Sequence, residues 1–310
     1  MTRSIRARTP LSLCGLVLLI AAPQAARCQS PSDEAPRLSA REQKLREERV
    51  TVIKKGESSR SARSEALDRL PLDKLTAAQK QRANEVLKSI SLFRELPVVS
   101  FEVEPDVYRF FVANPEMAVA IWRAMGISKF NMSQTSATEY DADCGDGTAG
   151  RVEVLYQSDR QVLLYCEGGF KSPLMARPVR SHCVLSLDWG FYRTQDDKTI
   201  VRHRASMFVS FPSQTIETAA RVISPISNHI IDHNFREISL FVHMMSVAMQ
   251  RQPGWVEQLT KKMDGVLDSR KQQFLKLTAQ TYVRARKKEA AANGDEEISI
   301  DDVLGPVRAA

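Results

Sequence analysis

Between Asn131 and Phe211 apolar residues recur at every second position. Such alternation puts successive side chains on opposite sides of an extended chain, so the run holds strands that each bury one face. The links are short and rich in turn formers, "DCGDGTAG" at 143–150 and "TQDDK" at 194–198. Links this short leave no room for crossover helices, which makes the strands neighbours in an antiparallel meander. The pattern predicts strands near 132–140, 151–157, 161–170, 181–194 and 199–211.

Helical patterns flank the meander. "PVVSFEVE" (97–104) sets Val99, Phe101 and Val103 against Ser100 and Glu102 and adds a strand. "PDVYRFFVANPEMAVAIWRAMG" (105–126) predicts two short helices, with Asn114 as N-cap, Pro115 in the first turn and Gly126 at the stop. Residues 71–95 form a helical lead-in, where Thr76 and Gln79 have capping-box spacing. Behind the meander, Ser224 and Pro225 are expected to start a long helix over about 225–250. An amphipathic basic helix over 251–290 follows, with Val256, Leu259, Met263, Val266, Phe274 and Leu277 on its apolar side. The fold class is α+β: a curved antiparallel sheet gripping a long C-terminal helix, with added helices at both ends and its main domain at 96–250. An NTF2-like cone is the alternative, and the long helix after the sheet argues against it.

The chain ends carry charge rather than core. Arg3, Arg6 and Arg8 precede the apolar run Leu11 to Ala22 and a small-residue stretch, which predicts a signal peptide over 1–28 and export to the periplasm or beyond. The run is too short to span a bilayer. Its removal lowers the formal charge from +7 to about +3, no argument for nucleic acid. Residues 29–70 read as a charged flexible leader and 291–310 as an acidic disordered tail. In an oxidising compartment Cys166 and Cys183 are candidates for a cross-strand disulfide, with Cys144 left in a loop; the alternative is buried free thiols.

The order strand, two short helices, meander, long helix resembles the helix-grip fold of the START and Bet v 1-like superfamily. The likeness lies in "FEVEPDVYRFFVANPEMAVAIW" and in "TIVRHRASMFVSF" leading into the last helix, and covers about 97–250. The chain is also similar to uncharacterised exported bacterial proteins, which carries no functional expectation. The superfamily implies an apolar cavity between sheet and helix that takes lipids, sterols or polyketides.

Alternation names the inward residues. Cys183, Leu185, Leu187, Trp189 and Phe191 share one side, and Val201, His203, Ala205, Met207, Val209 and Phe211 another, with Arg202 and Arg204 outward. On the long helix Ile231, Ile238, Phe241, Val242, Met245 and Met249 form the apolar arc, while His229, Asp232, His233, Arg236 and His243 fall on the polar arc or its edge. His229 and His233 have the spacing of a metal pair but lack a third ligand, so no metal site is expected. Asn234 projects from the middle of the apolar arc, where its amide needs a partner. The cavity candidates are Asn234, His203, Trp189, Phe191, Met207, Ile238, Phe241 and Met245.

No GxSxG, HExxH or P-loop occurs, and the aspartates of "DADCGDG" do not match a calcium loop. No cofactor is expected. The leading expectation is an exported, non-catalytic carrier of an apolar, lipid-like ligand. One rival is a cyclase or hydrolase using His203. Another is an envelope protein docking on a membrane surface or partner through 254–288, where Lys261, Lys262, Arg270, Lys271, Lys276, Arg284, Arg286, Lys287 and Lys288 favour an acidic surface.

Overall fold

A computed structural model describes residues 49–170, 179–212 and 214–293. The expected signal peptide, the first part of the leader and nearly all of the tail lie outside them. The rest is a mixed α+β structure around a large open antiparallel sheet. Its strands are β1 (Val50–Lys54), β2 (Leu92–Glu95), β3 (Val98–Glu102), β4 (Asn131–Gln134), β5 (Glu139–Asp143), β6 (Thr148–Gln157), β7 (Gln161–Phe170), β8 (Val179–Arg193) and β9 (Thr199–Ser210). The order across the sheet is β1-β3-β9-β8-β7-β6-β5-β4, with β2 also on β9. β2 and β3 therefore share one edge of β9, facing Ser206–Val209 and Ile200–His203 respectively.

The meander from β4 to β9 runs as the alternation predicts, with one difference. The stretch expected as a single strand over 132–140 is the β4–β5 hairpin, because Thr135 and Ser136 both donate to the Glu139 carbonyl and turn the chain. The "DADCGDG" loop is a tight hairpin: Gly145 takes φ +73°, a conformation that costs glycine nothing, and its N–H donates to Asp143 Oδ1 at 2.8 Å.

Seven α-helices cover the described sheet: α1 (Arg60–Asp68), α2 (Ala77–Lys88), α3 (Pro105–Ala113), α4 (Pro115–Ala124), α5 (Gln214–Arg251), α6 (Pro253–Lys261) and α7 (Asp268–Asn293). The capping box of Thr76 and Gln79 is present in full. Asn114 does not cap α4 through its side chain; its amide donates to the Phe110 carbonyl at 2.8 Å and closes α3 instead. α5 starts eleven residues before the expected Pro225 and runs through it. The expected helix over 251–290 is two, α6 and α7, parted at Gly265, whose φ of +70° breaks helical continuity.

The larger correction concerns the leader. Residues 50–54 are not flexible chain: β1 pairs with β3, setting Val50 opposite Phe101 and Val52 opposite Val99. α1 and α2 then lie on the face of the sheet opposite α5. There Ala66, Leu70, Ala83 and Val86 pack with Leu155, Leu163, Tyr165, Val184 and Phe208 in a small separate core. The main core fills the other, inner face. Val99, Phe101, Trp189, Val201 and Met207 meet Ile231, Phe235, Val242, Met245 and Met249 of α5 and Phe274 of α7.

Polar ties help to fix α5. Arg94 of β2 grips both oxygens of Asp232. His243 Nδ1 donates to the Glu102 carbonyl at 2.7 Å, and Ser246 Oγ accepts from the Glu104 N–H at 2.9 Å. His243, assigned to the polar arc or its edge, is thus buried: it spans from helix to the end of β3. No helix among the described residues is long and apolar enough to cross a membrane.

Candidate functional site

His203 sits where β9, α3 and α5 meet, and its ring is 5% exposed. Its Nδ1 lies 2.8 Å from Tyr108 Oη and its Nε2 lies 2.9 Å from Ser239 Oγ. Ser239 spends its own proton on the Phe235 carbonyl at 2.7 Å. The serine therefore accepts from Nε2–H, which leaves Nδ1 as the acceptor for the Tyr108 hydroxyl. Tyr108, His203, Ser239 and Phe235 form a neutral relay with every polar atom used. The ring also stacks on Phe235 at 4.7 Å and takes the edge of Phe101 at 5.2 Å.

Burial pushes the imidazole down to about 3. Burial, with the Asp188 charge as a smaller cause, holds the Tyr108 phenol well above its ordinary range. A general base needs a free lone pair within reach of substrate. His203 offers none, and here it serves as core packing.

The other cavity candidates divide. Trp189 stands directly opposite His203 in the β8–β9 register, 5.7 Å from the Tyr108 ring, and Phe191 packs on the same tyrosine at 5.7 Å. Phe241 faces away from that group, between Phe111 and Trp122 at 5.5 and 5.3 Å. Met207 and Met245 are buried, and Ile238 is half-buried against the same core. One polar group here lacks a partner. The Trp189 Nε1–H is fully buried and donates to nothing among the described residues. Asn234 is 7% exposed.

The remaining candidates resolve more simply. Cys166 and Cys183 stand directly opposite each other across β7 and β8 as free thiols, and the hydrogen bond between them, with burial, pushes the Cys166 thiol up. His229 and His233 are exposed, and no group of three possible metal ligands occurs among the described residues. Of the nine basic residues named for docking, Lys261, Arg270, Lys271, Arg284, Arg286 and Lys288 are paired with carboxylates of this same chain.

Two polar clusters escaped the sequence reading. On the outer face Glu95, 6% exposed, accepts from Arg69 at 2.7 Å and from Ser206 at 2.6 Å, while Gln161 Nε2 donates to Asp188 at 2.8 Å. Burial pushes the Asp188 carboxyl up, and Arg204 and Arg69 oppose that shift. On the far flank, Glu116 of α4 is 2% exposed; Arg270 binds its Oε1 at 3.1 Å and its Oε2 has no partner. Both clusters join residues far apart in sequence, and only the buried acid at the first turn of α4 had a local signal.

No protein-family model matches the sequence, and no curated protein matches it. Among solved structures the chain is similar to a conserved protein from Geobacillus kaustophilus, with 12% identity over 46% of this chain and 91% of that one and a TM-score of 0.33. A hypothetical protein from Helicobacter pylori shares 11% identity over 48% and 84%, TM-score 0.31. An uncharacterized protein from Rhizobium leguminosarum shares 13% over 48% and 94%, TM-score 0.28. Likeness at this level assigns neither fold nor function.

Proposed function

We propose that this protein is an exported, non-catalytic binding protein of helix-grip type, which holds an apolar, lipid-like ligand between the sheet and α5. The observation that carries the reading is the Trp189 Nε1–H, a fully buried donor on the inner face without an acceptor. A buried donor left unpaired costs about 1–3 kcal/mol, so it marks a place where a ligand acceptor is worth having. Asn234 supplies a second polar anchor on the opposing helix, and the surrounding aromatic and aliphatic side chains supply apolar contact. A carboxylate or ester head that accepts from the Trp189 N–H would relieve that cost.

The saturated relay around His203 favours carriage over catalysis, because its donors and acceptors are all committed inside the protein. Native mass spectrometry on protein purified gently from the exporting cell is the test. A bound lipid is expected, and Trp189→Phe, which keeps the ring and removes the N–H, should reduce its occupancy. Protein that carries no lipid and takes up no fluorescent fatty acid would sink the reading.

A further inference from the structure

Cys166 and Cys183 face each other across the β7–β8 hairpin. They belong to one row across the sheet, Val152, Cys166, Cys183 and Val209, in which each residue stands directly opposite the next. The pair belongs to the main core, and its two residues are 4% and 5% exposed. Residues directly opposite on antiparallel strands have Cα atoms roughly 4.5–5.5 Å apart, and a disulfide accepts roughly 4.4–6.8 Å. The two side chains already share a hydrogen bond. Joining the sulfurs therefore asks for side-chain rotation and little movement of the backbone.

The burial that would protect such a bond also hinders its formation. Exchange needs a thiolate within reach of an oxidant, and the shared hydrogen bond, with burial, holds the Cys166 thiol well above its ordinary range. The order of the chain supplies an opening. β7 and β8 are consecutive strands, so their hairpin brings the pair together locally, whereas α5, which packs on the inner face, begins only at Gln214. Before α5 docks, both sulfurs lie on an open face of the hairpin.

We propose that Cys166 and Cys183 are oxidised to a cross-strand disulfide while the chain folds, and that α5 then seals the bond from solvent. The oxidant is itself a disulfide, that of a dithiol oxidase or of oxidised glutathione. One cysteine thiolate attacks the oxidant's S–S bond, forms a mixed disulfide and expels one oxidant sulfur; the second cysteine thiolate attacks the sulfur of the first and expels the other. Two electrons pass to the oxidant, which leaves as two thiols and takes up the two protons that the cysteines lose. The bond closes a ring over residues 167–182 and stabilises the fold by restricting the unfolded chain. Export supplies the oxidising compartment, so oxidation in the cell rests on the function proposed above; the capacity of the pair to close does not, and neither depends on a bound ligand.

The test unfolds the full chain in urea with reductant, refolds it by dilution into a mixture of oxidised and reduced glutathione, and maps its peptides by mass spectrometry without reduction. A linked Cys166–Cys183 peptide pair, lighter by two hydrogens than its separate halves, is expected in most molecules. Folded, reduced protein placed in the same mixture should stay reduced, and folded, oxidised protein should resist dithiothreitol until urea opens it. The oxidised chain should also unfold at a higher urea concentration than the reduced one. Refolded protein with the pair still reduced, a bond from either cysteine to Cys144, folded protein oxidised as fast as the refolding chain, or an oxidised form no more stable than the reduced form would each overturn the proposal. A pair that closes on refolding but is reduced in protein taken from the cell would uphold the pairing and count against export.

Discussion

The two faces of the sheet bury polar groups in opposite ways. On the inner face the relay of Tyr108, His203, Ser239 and the Phe235 carbonyl is neutral throughout. On the outer face the buried partners are ions, with Glu95 between Arg69 and Ser206, and Glu153 held by Arg82 at 2.5 Å. The inner layer lies under α5 and the larger core, where an ion would lose nearly all its hydration. The outer layer is thin, and its arginines keep 23% and 40% of their side chains in solvent, so the cationic partner of each buried carboxylate is only partly desolvated.

That comparison can be broken in four ways. The largest effect is expected at Phe208, wholly buried under α2 on the thin outer side. Phe208→Ala should cost about 3–5 kcal/mol in urea unfolding. A cost below about 1 kcal/mol would mean that α1 and α2 rest loosely on the sheet.

Next comes Glu95→Ala, which strands Arg69 and Ser206 beneath α1. Breaking a buried pair costs about 3–5 kcal/mol, and the partial exposure of Arg69 lowers the expected value to about 2–3 kcal/mol. Glu95→Gln, which keeps an acceptor, should lose less.

The third concerns pH. The unfolded chain protonates His203 near 6.5, whereas burial holds the folded histidine unprotonated to about 3. Between those values the unfolded state binds the extra proton, so stability falls as pH falls, by up to about 1.4 kcal/mol per unit from this residue. Denaturation midpoints from pH 7 to 4 should show a shallower fall in His203→Gln than in the parent. Parallel curves would mean that the ring is accessible to protons in the folded state.

The smallest effect is at Asp232, which links α5 to Arg94 at a partly exposed position. Asp232→Asn should cost about 1 kcal/mol and lose its penalty in high salt.

The inner face was legible from sequence because strand alternation is a local signal. His203 falls in line with Val201, Ala205 and Met207, and all four are buried. Its partners were not legible: Tyr108 and Ser239 lie 95 and 36 residues away, and nothing in their own segments marks them. On the outer face α2 was legible from its capping box, whereas α1 was read as leader. Both are mostly polar segments whose small apolar sides, Ala66, Ala83 and Val86, give weak periodicity. They fold because Phe208, Val184 and Leu163 wait beneath them. β1 escaped likewise, since five residues flanked by charges look like leader until β3 offers an edge. His243 was misplaced because a helix wheel sees only angle; the Glu102 carbonyl at the end of β3 gives its imidazole a reason to turn inward.

β9 has a further consequence for how the chain reaches this state. It joins β8, its neighbour in sequence, to β2 and β3, which were made about a hundred residues earlier. Until residue 210 is available, β2 and β3 have no β9 to pair with, and both layers of cover lack their central support. Pairings of such long sequence separation fold slowly, on the millisecond to second scale. The nascent protein must therefore carry β2 and β3 unpartnered by β9 through the synthesis of about a hundred further residues, and its vulnerability to aggregation is set by the arrival of one late strand.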